Sequence, residues 1–201
     1  MKTLSKLLLV AFSMLFVVAC SKTSDDLLNT DLKSGNLGAD KTHETKMVTV
    51  PFKADFTVWH AAPTGSGEPC TGENALFRET MKGEGEITHL GAIKTWMTFC
   101  VFSDFSYAFT ELGYFVAANG DTLFINIPEG QIIIGGSDLE GYSGYFNDTM
   151  YFAGGTGRFD GASGYALTRA YPVFDNPETP EDEFFTDFFS DGTLTLVKGN
   201  K

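Results

Sequence analysis

The sequence predicts an all-β fold, an antiparallel barrel or sandwich, and three observations carry that prediction. Composition is the first: 22 Gly and 19 Phe stand against 7 Pro, a balance that suits strands joined by tight turns. Second, from residue 46 onward apolar residues recur at every second position, the period of a strand with one buried face. Third, Asn119-Gly120 lies between two such runs, and Asn-Gly is a strong hairpin signal because a type I′ turn needs positive φ at both central residues.

The 201 residues allow one ordinary domain. With 43% hydrophobic and 20% charged residues the chain can bury a core, which excludes global disorder. Its 26 acidic and 14 basic residues leave a formal charge of −12. That balance argues against nucleic acid as a partner, since phosphate neutralisation needs clustered Lys and Arg.

Residues 1–19 read as an export signal. Lys2 and Lys6 form a positive start, and Leu7 to Val18 is an apolar run too short for a spanning helix. The run ends in Val17-Val18-Ala19-Cys20, which resembles the lipobox of bacterial lipoproteins. The resemblance implies cleavage before Cys20 and lipid on its sulfur, and two or three acyl chains anchor stably where one does not. An ordinary signal peptide with an accidental cysteine is the plainer reading. Without residues 1–19 the chain has 182 residues, 12 basic and 26 acidic, for a charge of −14. Ser21 after Cys20 resembles the outer-membrane pattern, and Ser24-Asp25-Asp26 resembles the acidic export signal of surface lipoproteins in the Bacteroidota. The expectation is an outer-membrane anchor, with the domain on the cell surface. Residues 20–45 are the lipidated cysteine and a polar tether of roughly 25–30 Å end to end. A short amphipathic helix over residues 25–32 is the alternative.

The domain occupies residues 46–201. Val48, Val50, Phe52, Ala54, Phe56 and Val58 form one face of a first strand, in which Pro51 marks an edge or a bulge. Ile93, Thr95, Met97, Phe99 and Val101 form a second face, with Lys94, Trp96, Thr98, Cys100 and Phe102 opposite. Leu123, Ile125 and Ile127 form a third. Further strands fall at about residues 76–89, 130–135, 144–153, 162–171 and 184–198, eight or nine in all, with no convincing helix. Such a set closes into a barrel or stacks as a sandwich. Tyr145 and Tyr151 lie on one face of their strand and Phe146, Met150 and Phe152 on the other. Apolar residues on both faces suggest either a covered exterior, such as an oligomer interface, or an aromatic interior with exposed tyrosines.

Gly154-Gly155-Thr156-Gly157-Arg158-Phe159-Asp160-Gly161-Ala162-Ser163-Gly164-Tyr165 joins two of these strands. No Gly-Lys-Ser/Thr ends it, so it is not a Walker A loop. Asp160 stands where a dinucleotide fingerprint needs its third glycine. Gly154, Gly155, Gly157, Gly161 and Gly164 read as structural, supplying positive φ and close backbone approach, with Phe159 plugging a barrel end. After the loop, Gly164, Ala166, Thr168 and Ala170 form a small face, and Tyr165, Leu167, Arg169 and Tyr171 a large one.

This segment resembles the glycine segment of the allene oxide cyclase and dirigent barrel superfamily. Thr88-His89-Leu90-Gly91 and Ala117-Ala118-Asn119-Gly120-Asp121 resemble two further elements of bacterial proteins of that type, in matching order. The three span about residues 88–166. The resemblance implies an eight-stranded antiparallel barrel, calycin-like, with a central cavity. It also implies a homotrimer, as in plant members that cyclise an epoxide or steer radical coupling. The matching motifs are structural, so no catalytic residue is carried over.

Cys70 and Cys100, in an exported chain, read as a disulfide, with buried free thiols as the alternative. Two cysteines without nearby histidines make a poor zinc site, and no other metal or cofactor is expected. His43 falls in the tether, and His60 has no assigned role. His89, at a strand end, reads as structural before it reads as an acid–base group. Glu86, and Glu84 beside it, read as solvated, although an inward carboxylate there would have a raised pKa. Residues 173–191 crowd acidic groups around phenylalanines, with calcium binding conceivable but no known loop spacing. Asp121-Thr122-Leu123 and Asp148-Thr149-Met150 are weak matches to Bacteroidota O-glycosylation sites.

These residues point first to a lipid-anchored, non-catalytic barrel that binds an apolar small molecule or a partner. Trp59, Trp96, Tyr114 and Phe115 are its candidate lining. A second expectation is an isomerase or cyclase of the allene oxide cyclase kind, with Glu86 or His89 as the polar group. A third is a structural or host-facing surface protein with a filled barrel. An open cavity with an inward carboxylate favours the second, and a dry, packed interior favours the third.

Overall fold

The computed structural model describes residues 46–142, 144–173 and 185–199. The export signal and tether, and the centre of the acidic loop at residues 174–184, lie outside the described residues. Ten strands run in chain order: β1 (Met47–His60), β2 (Ala75–Ile87), β3 (Gly91–Phe102), β4 (Ser106–Phe109), β5 (Gly113–Ala117), β6 (Thr122–Asn126), β7 (Gly130–Ile134), β8 (Gly144–Gly155), β9 (Ser163–Pro172) and β10 (Phe185–Val197).

Their pairing closes a ring. β1 bonds to β2 and β10, β2 to β3, β10 to β9 and β9 to β8. β3 meets β5 along its first half and β4 along its second. β8 likewise meets β6 and β7, while β5 pairs with β6 and β4 with β7. β4–β5 and β6–β7 are therefore two broken staves, and the ten strands make an eight-stave antiparallel barrel. Closure gives each described strand a bonded neighbour on both sides. The second break falls at residues 127–129, where Pro128 has no N–H to offer the ladder.

The inward faces follow the expected alternation. Phe52, Ala54, Phe56 and Val58 of β1 are buried, as are Ile93, Thr95, Met97 and Val101 of β3. The first strand departs from its pattern at its start, where Val48 is 40% exposed. β1 pairs with β2 only from Ala54 onward, so its first residues overhang β2. Pro51 sits in that overhang, on the side with no β2 partner.

The Asn-Gly turn differs from the expected two-residue I′ hairpin. The Ala117 N–H donates to the Asp121 carbonyl at 2.8 Å, which encloses three residues, 118–120. Only Gly120 has positive φ, at 90°, while Asn119 does not. This is the three-residue loop that ends in a left-handed glycine. The Asn119 side chain is used instead to bond Asp121, its amide donating to Asp121 Oδ2 at 2.9 Å.

One end of the barrel is packed solid. The Phe52 and Phe152 rings lie 4.5 Å apart, and Leu123, Leu194 and Phe159 are fully buried beside them. Phe159 belongs to a single 3-10 turn, Gly157–Phe159, that folds in beneath the strands. Gly157 must be glycine: its φ is 56°, and a Cβ there would meet Asp121 Oδ1 at 2.0 Å. Asp121 accepts from the Arg158 backbone N–H at 3.3 Å, and the Arg158 guanidinium lies 4.9 Å over the Phe159 ring. Gly164, with φ of 128°, brings β9 so close to β10 that a Cβ would sit 2.2 Å from the Thr193 carbonyl. The small face of β9, with Ala166, Thr168 and Ala170 buried, leaves room for the rings of its neighbours.

Candidate functional site

The opposite end is not filled. A cavity of about 270 Å³ occupies the interior where β1 and β3 end and β2, β8 and β10 begin. Val58, Met81, Met97, Val101, Ile127 and Ile132 line it together with the rings of Phe77, Phe99, Tyr107, Phe109, Phe146 and Phe188. The rings brace each other: Tyr107 meets Phe146 edge-on at 88°, with centroids 5.4 Å apart, and Phe99 lies 5.4 Å from Tyr107. Phe188 stacks on Phe56 at 4.8 Å, and Phe56 meets Phe115 at 5.2 Å, so the aromatic cluster continues into the packed core.

Polar side chains also face or back this space. Glu79, 8% exposed, takes an inward position of β2 between Phe77 and Met81. His60, at the end of β1, places Nδ1 3.0 Å from Glu79 Oε2. Thr64 and Thr186 also reach the lining. On the other wall the Tyr107 hydroxyl donates to Asp148 Oδ2. Asp148 alternates inward with Phe146 and Met150 on β8. Burial pushes its carboxyl up to about 6, with the hydroxyls of Tyr107 and Thr168 partly offsetting that rise. Tyr107 is pushed well above the ordinary phenol range by burial first, then by the adjacent Asp148 charge and the hydrogen bond. Thr168 and Ser190 share a buried hydroxyl contact at 2.9 Å.

Local structure explains the Tyr107 position. Gly130 is the cross-strand partner of both Tyr107 and Asp148, and a Cβ on it would lie 2.3 Å from the tyrosine ring. The glycine thus leaves the space that the ring fills. A dent on the outer surface, lined by Pro128, Glu129, Asn147, Asp148 and Thr149, approaches the same pair where the β6–β7 stave is broken.

Cys70 and Cys100 form a disulfide with Cα atoms 5.8 Å apart. It ties residues 61–74, which include the cavity-lining Thr64, to β3. Cys100 alternates outward from Phe99 and Val101, so the loop covers the outside of the wall whose inside lines the cavity.

The residues singled out from sequence lie elsewhere. Trp96 is exposed on the outer face of β3, paired with Lys82 and Tyr114. Tyr114 shares that outer face, and Trp59 alternates outward from Val58, opposite Phe185 and Lys82. Phe115 points inward and is fully buried, beneath the cavity against Phe56. Glu86 is exposed, one position out of phase with Ile87. His89 is exposed with φ of 66°, and its Nε2 donates to the Pro51 carbonyl at 3.0 Å, closing the β2–β3 turn over the β1 overhang. Neither approaches the cavity. Gly154, Gly155, Gly157, Phe159, Gly161 and Gly164 all belong to the packed end. Of the two glycosylation-like triplets, Asp148 points inward and Asp121 is held by the 157–158 turn.

Sequence reasoning missed Glu79, Tyr107 and Asp148, and gave His60 no role. The signal was present: Phe77-x-Glu79-x-Met81 and Phe146-x-Asp148-x-Met150 each put a carboxylate in phase with an apolar face.

No family model matches the chain, and no curated protein does. Among solved structures it is similar to the pterocarpan synthase dirigent protein GePTS1, at 14% identity over 84% of this chain and 100% of that one, with a TM-score of 0.45. It is also similar to the pterocarpan synthase dirigent protein PsPTS1, at 16% identity over 77% of this chain and 97% of that one, with a TM-score of 0.43.

Proposed function

We propose that this protein binds a small, largely apolar molecule in the half-open end of its barrel, as a lipid-anchored component of the cell envelope. The observation that carries the reading is the aromatic cavity of about 270 Å³ with Glu79 and His60 at its wall. Ligand sites are concave, mostly apolar and supplied with a few placed polar groups. A filled barrel would have served a structural role, and the cavity argues against that. Native mass spectrometry of the protein purified gently from its source tests the proposal, with a bound small molecule expected. An empty barrel whose melting temperature also ignores a panel of small aromatic compounds would sink it.

The anchor is part of the proposal and rests on Lys2, Lys6, the apolar run and Ala19-Cys20. A clickable fatty acid fed to cells should label the wild type and not Cys20→Ala. Protease added to intact cells should digest the domain if it faces outward. A homotrimer is supported by the outer face of β8–β10, where Tyr151, Tyr165, Leu167 and Phe189 are exposed together. The same native mass spectrum reads that state.

A second reading, an isomerase or cyclase, is favoured by the inward carboxylates beside the cavity. The acid would then be Glu79 with His60, or Asp148 with Tyr107, and not Glu86 or His89. Product analysis after incubation with small epoxides tests it. Unaltered epoxide, or turnover that survives both Glu79→Gln and Asp148→Asn, would remove it.

A further inference from the structure

We propose that the cavity selects an organic ammonium ion, a small aromatic or alkyl body carrying one protonated or quaternary amine, over a neutral or anionic molecule of the same size. This rests on the cavity being a ligand site, and it concerns the charge of the ligand's head. Six aromatic rings and one carboxylate face the space, and neither Lys nor Arg is among its lining residues. Ring faces are the negative part of an aromatic quadrupole, and a desolvated cation over them gains roughly 2 kcal/mol. The lining rings are not all parallel: Tyr107 and Phe146 meet at 88° and Phe99 and Tyr107 at 57°, so their planes differ around the space.

Glu79 supplies the counter-charge. Its Oε2 is buried, and desolvating a carboxylate is costly unless a cation or donors replace the lost water. His60 reaches that oxygen from the end of β1, and the carboxylate itself belongs to the cavity lining. A ligand carboxylate would instead face Glu79 directly, with Asp148 behind Tyr107, and would find no Lys or Arg to pair with. Size narrows the class further. A cavity of about 150 Å³ holds benzene, so one of about 270 Å³ holds a molecule of about ten non-hydrogen atoms. That is the scale of an arylalkylamine or a benzyl quaternary ammonium ion.

Three probes of closely matched size separate the outcomes by calorimetry at neutral pH: phenethylammonium, 2-phenylethanol and phenylacetate. The full chain is held in dodecyl maltoside at one fixed concentration in every titration, so that an alkyl tail entering the apolar cavity competes equally with all three probes. The ammonium is expected to bind about tenfold or more tighter than the alcohol, which is about 1.4 kcal/mol, with the carboxylate weakest. Glu79→Gln should weaken ammonium binding more than alcohol binding and so reduce the preference for ammonium. If that variant fails to fold, Phe109→Leu, which removes one ring from the cage, should weaken ammonium more than alcohol. Equal or tighter binding of the alcohol or the carboxylate overturns the ammonium proposal and leaves the cavity reading standing. Binding of none of the three overturns both.

Discussion

The two ends of the barrel are built from the same alternating strands, yet one is solid and the other hollow. At the solid end Phe159, Phe52 and Phe152 meet over the small residues Ala162, Gly164 and Ala166, so large side chains fill the space that small ones leave. At the hollow end rings ring the wall, and inward positions that could have filled the middle carry Glu79 and Thr186. Polar groups there need partners, and those partners hold side chains back against the wall. Packing is thus spent on stability at one end and withheld at the other, which is the common division between scaffold and site.

Substitutions at the solid end should show the largest effects. Phe159→Ala removes a fully buried ring from the packed end and should cost about 3–5 kcal/mol in urea unfolding. Phe99→Ala at the hollow end, where the ring borders existing space, should cost less than half as much. Equal costs would mean that the hollow end is packed in solution.

Next in size is the disulfide. Cys70 and Cys100 are separated by 30 residues, and opening that loop in Cys70→Ser, Cys100→Ser should cost about 3–4 kcal/mol by chain entropy. Because the tied loop carries Thr64, ligand affinity should fall as well. Unchanged affinity would show that the loop braces only the outside of the wall.

Asp148 then sharpens the comparison through pH. Its folded pKa of about 6 lies above the unfolded value, so the folded state holds the proton more tightly. The stability this gives is fully present below the unfolded pKa, is lost as pH rises toward 6, and is gone above it. Two units correspond to about 2–3 kcal/mol. Asp148→Asn keeps an acceptor for Tyr107 without the charge. Measured against wild type, it should raise the melting temperature by about 4–8 °C above pH 7 and by much less near pH 4. A constant difference across pH would remove Asp148 as the titrating group.

The smallest effect belongs to the surface. Lys53 and Asp191 pair at 3.1 Å across the outside of the barrel wall, each more than two-thirds exposed. Lys53→Ala should change stability by less than about 0.5 kcal/mol, and salt should erase even that. A larger loss would mean that outer charges hold the β1–β10 seam.

How much of this was readable depends on the range of the interaction. The alternation of Phe52, Ala54, Phe56 and Val58, the positive-φ glycines of the 154–164 loop and the plugging Phe159 are local matters, and each is legible in a few residues. The type I′ turn at Asn119-Gly120 was misjudged because the Asn119 side chain bonds Asp121, a choice that also serves Arg158 from a distant loop. The tryptophans drew attention as ligand-binding residues, but both alternate outward. Glu86 and His89 drew attention as acids or bases, yet only Glu79 shares the inward phase of Met81.

Alone, the sequence determined the all-β class, the inward phase of most strands, the glycine-dependent turns and the two cysteines that pair. Those properties depend on backbone preference and on a period of two, which neighbouring residues settle among themselves. Tertiary structure alone decided that ten strands make eight staves, that one end stays hollow, and that His60 meets Glu79 and Tyr107 meets Asp148. Those outcomes depend on register between strands far apart in the chain. A shift of one residue in a single ladder would turn Glu79 or Asp148 out to water, and no local pattern records that register.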